Sequence, residues 1–311
     1  MLKRAGIPQG LYYHQFFPAW KLFFEEIGAQ IVFSGNTTKA ILDMGIQSCV
    51  DEACLPVKVF HGHVKKLSGQ VDCLIIPRLT SISKGEYICP KFGGLPDMVR
   101  HSVKNLPEII DVEVDLRSHP GEAMHSAVNI GLRFCTNRNR IKSSFRHAMD
   151  SFIAGKPAGP LAEIAAGTAD PPAIAVIGHA YNVYDSFINM NLLKKLQDEG
   201  FRVVTLERFD DVLVSRNAGG LHKQMFWNFG RKVMGSTYEI IKSGCIRGVL
   251  FVTSFGCGID SFVFDLAQRA LRRDSVIPSM QLTLDEHSGE AGLNTRIEAF
   301  SDMIRWKKHW S

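Results

Sequence analysis

The sequence lacks the features that mark several large classes of protein. No apolar run approaches the roughly 20 residues that a helix needs to cross a bilayer. Residues 1–6 lead directly towards a predicted strand and have none of the apolar core of a signal peptide. The 7 cysteines are odd in number and too far apart for a disulfide scaffold. We therefore expect a cytoplasmic protein whose thiols are reduced and available for metal.

A strong charge of either sign is missing as well. With 36 Lys and Arg against 31 Asp and Glu, the 311 residues carry a net charge of only +5. The basic runs at 138–142 and 269–273 fall on predicted helices, where such runs usually form a solvated face. The sequence therefore predicts no nucleic-acid partner and no membrane partner, whereas the small excess of cations suits an anionic small substrate. A Walker A sequence is also missing, so ATP hydrolysis is not assigned to this chain.

What is present is an alternation of short apolar runs with segments of helical periodicity. Apolar runs typical of buried strands occupy residues 31–33, 73–77, 173–178, 248–253 and 278–284. This order predicts an α/β protein with two Rossmann-like or flavodoxin-like domains, mainly parallel sheets and a cleft between the domains. In such sheets the loops after the carboxyl ends of the strands form the ligand crevice.

A change of composition divides the chain into the two predicted domains. Residues 156–172 are rich in Gly, Pro and Ala and form the predicted linker. The linker separates an N-terminal α/β domain, residues 1–155, from a C-terminal α/β domain, residues 173–311. Within the second domain, residues 178–182 end a predicted strand and resemble a ligand-contacting loop, but they lack the glycine pattern of a phosphate cradle.

Three cysteines stand at predicted loop–helix junctions marked by Pro or Gly, where helix N-termini favour the thiolate form. Cys54 and Cys89 fall in the predicted N-terminal domain, and Cys257 falls in the C-terminal domain. No pair of cysteines has the CxxC spacing of zinc fingers and ribbons. These residues leave two interpretations open, a shared metal site or three ordinary buried thiols. The C-x4-C pair of Cys49 and Cys54 is a weaker rival arrangement.

A second candidate set follows the last predicted strand. Glu286, His287 and Glu290 lie between that strand and the last predicted helix, a position that faces the crevice of a parallel sheet. Because carboxylate and imidazole groups can transfer protons, these three are the candidate catalytic residues. In the alternative interpretation, Asp285 and Ser288 cap the last helix and Glu290 complements its dipole. The sequence gives the two interpretations equal weight.

Five stretches, taken together and in this order, resemble the acyl-CoA dehydratase activase-related proteins, which are relatives of 2-hydroxyacyl-CoA dehydratase subunits and double-cubane cluster proteins. The stretches are DEACLPVK at 51–58, GEYICPKF at 85–92, GHAYNVYD at 178–185, SFGCG at 254–258 and LDEHSGEAG at 284–292. The resemblance implies two α/β domains and a cubane iron–sulfur cluster, 4Fe–4S, held by one cysteine from each of three loops. In this chain those cysteines are Cys54, Cys89 and Cys257. The resemblance also implies an ATP-dependent activase that injects a low-potential electron into the cluster.

The expected function is that of an iron–sulfur component resembling 2-hydroxyacyl-CoA dehydratase, which makes the chain a candidate lyase or reductase component. Such a protein receives electrons from its activase partner and acts on a small molecule or an acyl-CoA at the cluster. The alternatives are a non-catalytic electron carrier or assembly subunit, and a structural relative that binds zinc or no metal. Two features differ from the relatives, because neither a CoA-binding motif nor a second set of cysteines for a double cubane is evident. Dimer formation is left open.

Overall fold

The computed structural model describes residues 4–118, 121–155, 161, 171–221 and 223–307. The chain forms two compact units, Met1–Lys156 with Phe226–Asn228, and Pro157–Met225 with Phe229–Ser311. Apart from residues 161, 171 and 172, the predicted linker at 156–172 lies outside the described residues. Each unit contains its own parallel sheet with helices, so the predicted α/β class with mainly parallel sheets is confirmed.

The first unit is built on a four-stranded sheet with the strand order β2-β1-β3-β5. Its strands, numbered along the chain, are β1 Arg4–Ile7, β2 Gln30–Phe33, β3 Cys73–Ile75, β4 Arg78–Ser81, β5 Glu108–Ile110 and β6 Glu113–Asp115. Every pair in the four-stranded sheet is parallel. All three residues of β3 are buried, as expected for a parallel strand covered on both faces.

Strands β4 and β6 form a separate two-stranded parallel sheet that the sequence does not predict. The apolar run at 109–114, which predicts one strand, is in fact two strands, β5 and β6. The division matches a break between β3 and β4, where Pro77 supplies no backbone N–H to the ladder. The pair β3 and β5 therefore ends, and the pair β4 and β6 begins, at the same position along both segments of the chain.

Six helices accompany these strands in the described part of the first unit. They are α1 Tyr13–Glu26, α2 Lys39–Ile46, α3 Leu55–Leu67, α4 Pro90–Ser102, α5 Glu122–Gly131 and α6 Arg138–Ala154. Helices α2 and α3 touch through their backbones at two glycines. A Cβ atom added at Gly62 would lie 1.9 Å from the Ile41 carbonyl oxygen, and one at Gly45 would lie 1.9 Å from the Lys58 carbonyl oxygen. Any side chain at either position would force the helices apart.

The segment Phe226–Asn228 belongs to the first unit although its neighbours in sequence belong to the second. The Tyr87 backbone N–H donates to the Phe226 carbonyl at 3.0 Å, and the Asn228 N–H donates to the Tyr87 carbonyl at 2.9 Å. The Asn228 side chain also donates to Glu86 Oε2 at 2.7 Å, and Glu86 is buried. This contact fixes the loop that leads to Cys89.

The second unit contains a parallel sheet with the strand order β10-β9-β7-β8. Its strands are β7 Ala173–Gly178, β8 Arg202–Thr205, β9 Gly248–Ser254 and β10 Ser279–Leu284. Its helices are α7 Ala180–Val183, α8 Leu192–Asp198, α9 Asp211–Ala218, α10 Asn228–Ser243, α11 Gly258–Asp274 and α12 Glu290–Lys307, with a 3-10 turn at Leu206–Arg208. Every residue of the central strands β7 and β9 is buried. None of the helices among the described residues combines the length and apolar character needed to pass through a membrane.

Candidate functional site

Two of the predicted cysteines in the first unit occupy equivalent positions. Cys54 is the N-cap residue of α3, and Cys89 is the N-cap residue of α4. Pro56 and Pro90 lie in the first turns of these helices, where the missing N–H has no intrahelical partner to lose. Neither cysteine side chain makes a hydrogen bond that caps its helix. The local sequence thus starts a helix and leaves a thiol at its N-terminus.

Both thiols lie at the carboxyl edge of the four-stranded sheet. Helix α3 leads into β3 and α4 leads towards β5, so each helix begins at the edge where the parallel strands end. Tyr12, in the loop after β1, has its ring centroid 4.4 Å from that of Phe92 in the first turn of α4. Burial and, to a lesser extent, the charge of a Cys89 thiolate raise the pKa of Tyr12. The loop after β1 therefore lies close to Cys89.

Cys49 links the two helix starts electrostatically. Burial raises the pKa of the Cys49 thiol to about 11, the charge of Lys58 opposes this shift, and a Cys54 thiolate adds to it. Lys91, in the first turn of α4, also lowers the pKa of Cys49. The first turns of α3 and α4 are therefore close enough to act on the same thiol. Lys58 is only 4% exposed, so a buried cation lies within electrostatic range of this group of thiols.

Cys257 occupies the corresponding position in the second unit. It is the N-cap residue of α11, directly after β9, and its side chain also makes no capping hydrogen bond. Gly256 has φ +80°, a conformation that favours glycine, and it turns the chain between strand and helix. The Phe255 N–H donates to the Leu284 carbonyl at 2.8 Å, which ties this loop to the end of β10. The Cys257 loop thus lies at the carboxyl edge of its own sheet.

A buried histidine–aspartate pair lies at the same edge. His179 follows β7, Asp260 lies in the first turn of α11, and their Nε2 and Oδ1 atoms are 3.1 Å apart. Asp260 is 0% exposed, and its Oδ2 accepts a hydrogen bond from Thr253 at 2.9 Å. Oδ1 makes no hydrogen bond to the described residues, so the His179 contact is an ion-pair approach without hydrogen-bond alignment. The imidazole of His179 thus lies beside the fully buried carboxyl group of Asp260.

The imidazole ring is held in a defined orientation. It stacks on Phe229 with ring centroids 3.5 Å apart and on Tyr181 with centroids 4.7 Å apart. Its Nδ1 atom makes no hydrogen bond to the described residues, and 14% of the side chain remains exposed. With Nε2 turned towards Asp260, Nδ1 is the ring nitrogen that can exchange a proton with a ligand.

Glu207 adds a second carboxyl group within electrostatic range of His179. Burial raises the pKa of Glu207, although the charges of Lys232 and His179 act in the opposite direction. The Tyr184 hydroxyl donates to Glu207 Oε2 at 2.9 Å and also lowers this pKa. The ends of β7, β8 and β9 thus bring together ionisable groups that are far apart in the sequence.

The candidate residues after β10 lie in a loop closed by Asp285 and Ser288. The Asp285 N–H donates to Ser288 Oγ at 2.9 Å, and the His287 N–H donates to Asp285 Oδ1 at 2.7 Å. Glu290 is the first residue of α12 and accepts a hydrogen bond from Lys195 at 2.6 Å. These contacts account for the loop conformation, and the catalytic role of Glu286, His287 and Glu290 stays a prediction.

No group of three or more His, Cys, Asp and Glu side chains within the described residues is arranged to hold a metal ion. The first unit nevertheless brings Cys54 and Cys89 to one sheet edge, and the second places Cys257 near the His179–Asp260 pair at the edge of its own sheet. Joint ligation by the three cysteines stays a prediction.

Comparison with known families supplies the next observation. Residues 4–209 match the family model described as CoA enzyme activase uncharacterised domain (DUF2229), which is more than half of the 311 residues. The chain belongs to this family. The matched part of this family member includes Cys54, Cys89 and His179, whereas Cys257 and Asp260 lie beyond it. No curated protein matches the chain. The family supports the activase-related part of the resemblance drawn from the sequence.

Sequence reasoning identified the loop that carries His179 but not its partner. Asp260 is 81 residues away from His179, as 260 minus 179 shows, and its place three residues after Cys257 is typical of an ordinary first-turn acid. The feature of the sequence that could have indicated this pair is Asp260, an acid that follows the glycine-flanked Cys257 at the start of a helix. Only the pairing of β7 with β9 shows that it faces a histidine.

Proposed function

We propose that this protein is the iron–sulfur component of an activase–dehydratase system, with Cys54, Cys89 and Cys257 as ligands of one 4Fe–4S cluster. It receives low-potential electrons from an ATP-dependent activase and acts on a small molecule or an acyl-CoA. The observation that carries the proposal is that each of these thiols stands at a helix N-cap without capping the helix. Membership of the CoA enzyme activase family supports the same context.

The chemistry of the donor set fits such a cluster. Cysteine thiolates are the usual ligands of iron–sulfur clusters, and helix N-termini favour the thiolate form. Lys58 and Lys91, which act on the neighbouring Cys49, place positive charge where anionic sulfur ligands would gather. When bound through three protein ligands, such a cluster supplies an iron that is open to a substrate oxygen.

The protein's own ionisable groups provide proton transfer in this proposal. His179 takes up or releases a proton at Nδ1, while Asp260 lies beside Nε2. Glu286, His287 and Glu290, after the neighbouring strand β10, are a second group that can move protons at the same sheet edge. Phe229 and Tyr181 limit the movement of the His179 ring by stacking on it.

The test is iron and sulfide content after anaerobic purification, together with the visible and electron paramagnetic resonance spectra of the reduced protein. Replacing Cys54, Cys89 or Cys257 by serine should remove iron. Cys135→Ser and Cys245→Ser are matched controls, because these half-buried thiols lie outside the proposed ligand set, and both variants should retain iron. Iron that survives all three substitutions, or zinc in place of iron, would contradict the proposal.

Turnover separates the enzyme from the electron carrier. With an activase partner and a 2-hydroxyacyl-CoA supplied, His179→Gln should lower turnover per bound cluster about a hundredfold while iron content stays unchanged. The same measurement applies to Glu286→Gln and Glu290→Gln. At least one of these variants should also show a turnover per bound cluster that is about a hundredfold lower. Full reduction of the cluster without turnover of any tested acyl-CoA would favour the non-catalytic electron carrier.

A further inference from the structure

The second unit contains a cavity of about 270 Å³ at the carboxyl end of its edge strand β10. Its walls come from the end of β10, the loop after it, the first two turns of α12 and Met190. Leu284 and Leu293 provide apolar wall, whereas His287 and Arg296 provide ionisable groups. This combination of an apolar wall with a few polar groups is typical of sites for small molecules.

The cavity wall contains an arginine that has no partner among the described residues. Arg296 forms neither an ion pair nor a hydrogen bond with any described residue, although it lines the cavity. Asp285, which also lines the cavity, accepts hydrogen bonds at Oδ1 from the His287 N–H at 2.7 Å and from Ser288 Oγ at 3.2 Å, and nearby Glu290 is paired with Lys195 at 2.6 Å. A guanidinium without a protein partner is a strong ligand for a carboxylate or a phosphate.

Two glycines keep the cavity open. A Cβ atom added at Gly289 or at Gly292 would meet no atom within 4 Å, and neither residue has the positive φ that requires glycine. Gly292 lies inside the first turn of α12, where glycine is less favourable for helix stability than alanine. A side chain added at either position would therefore extend into the cavity without meeting the protein.

The wall that contains Met190 is built at an energetic cost. Met190 and Asn191 have φ values of +52° and +59°, in the left-handed region that is unfavourable for Met and is tolerated better by Asn. Buried Asn189 holds this loop by donating to the carbonyl oxygens of Asn182 and Val183 at 3.0 and 2.7 Å. The backbone is thus held so that the Met190 side of the cavity stays in place.

We propose that this cavity binds a small molecule through an oxyanion, either a carboxylate or a phosphate, with Arg296 as the principal anion-binding residue. Met190, Leu284 and Leu293 contact the apolar part of the same molecule. The site goes beyond the proposed function and does not depend on metal binding by the cysteines, since every residue of the cavity belongs to the second unit.

The test uses inorganic phosphate and butyrate as separate probes on the full chain, with binding followed by amide chemical shifts of Gly289 and Gly292. Saturable shifts with phosphate alone identify a phosphate ligand, and shifts with butyrate alone identify a carboxylate with an apolar tail. Arg296→Gln should weaken binding of the active probe at least tenfold. Gly292→Val, which extends a side chain into open space, should abolish binding without lowering the melting temperature.

Arg305→Gln is the matched control, because it removes the same charge from the same helix at a residue outside the cavity wall. It should change affinity less than twofold. Equal weakening by Arg296→Gln and Arg305→Gln would show a general charge effect and overturn the proposal. Absence of saturable shifts with both probes at tens of millimolar would overturn it as well, and neither result would bear on iron binding.

Discussion

Protonation of His63 should make the first unit sensitive to acid. His63 lies on the buried helix α3 and is itself 0% exposed. Its Nδ1 atom is 2.8 Å from Ser34 Oγ, and its Nε2 atom is 3.0 Å from Thr37 Oγ1. Burial, assisted by the charges of His14 and Lys66, lowers the pKa of His63 from 6.5 to about 3. The folded protein therefore holds this ring in its neutral form throughout the mildly acidic range.

The sign and size of the effect follow from proton linkage. A lowered histidine pKa means that the unfolded chain binds the proton more tightly, so stability is full above pH 6.5 and is lost as the pH falls towards 3. Each pH unit in this window costs about 1.4 kcal/mol, which gives about 2 kcal/mol between pH 6.5 and about pH 5. Burial also lowers the pKa of His61, so the unfolding free energy of the wild-type protein should fall by more than the contribution of His63 alone.

The assay is urea unfolding at a series of pH values, followed by tryptophan fluorescence, to which Trp20 and Trp227 of the first unit contribute. His63→Gln should reduce the loss of unfolding free energy between about pH 8 and pH 5 by about 2 kcal/mol, even though the variant loses hydrogen bonds and is less stable at the higher pH. His101→Gln makes the same chemical change at an exposed position and should leave the pH dependence unaltered. Parallel curves for His63→Gln and the wild type would refute the argument.

The remaining predictions concern stability and are checked by the same unfolding assay. Gly62→Ala should cost at least about 3 kcal/mol because its Cβ would lie 1.9 Å from a carbonyl oxygen of α2, whereas Gly94→Ala, with open space around it, should gain about 0.5–1 kcal/mol. Asp210→Ala should cost about 1 kcal/mol, since Asp210 accepts the first N–H groups of α9 at 2.8 and 2.9 Å. Glu290→Gln should cost less than about 1 kcal/mol because the Glu290 side chain of its ion pair is 66% exposed. Cys54→Ser should stabilise the metal-free protein by about 0.5–1 kcal/mol, because serine can cap α3.

The sequence predicted most reliably what depends on local pattern. Strands β7 and β9 were identified from continuous apolar runs, because both are buried on both faces. Residues 122–152 have a helical pattern with a predicted break near Cys135, and the gap between α5 and α6 confirms this break. Two other local patterns mislead. Thr37 precedes a segment of helical periodicity and predicts a cap, but Thr38 caps α2. Pro96 predicts a helix start, but α4 begins at Pro90 and contains Pro96.

Apart from the start of α4, these differences have a common physical cause, which is a partner distant in sequence. Thr37 resembles a helix cap, but its hydroxyl contacts His63, which lies 26 residues further along the chain. The small sheet of β4 and β6 and the His179–Asp260 pair likewise depend on contacts that no local spacing encodes. Local pattern therefore fixes the element types, whereas ionisable pairs at the sheet edges follow only from the strand order.

The helix starts themselves distinguish structural positions from candidate functional ones. Thr38 and Asp210 cap their helices with side-chain oxygens, as helix stability favours. Cys54, Cys89 and Cys257 begin helices with non-helical N-cap backbone conformations, in which a serine would serve as a cap, yet their side chains make no such bond. At each of these positions, a residue that does not cap the helix lowers the stability of the protein by roughly 0.5–2 kcal/mol relative to the preferred caps. Tyr12, Gly121, His179 and Asn191 also begin helices without a capping bond, so the missing cap alone does not single out the cysteines. What the three cysteines share is a thiol at a helix start on the carboxyl edge of a parallel sheet, which is where ligands of such sheets bind.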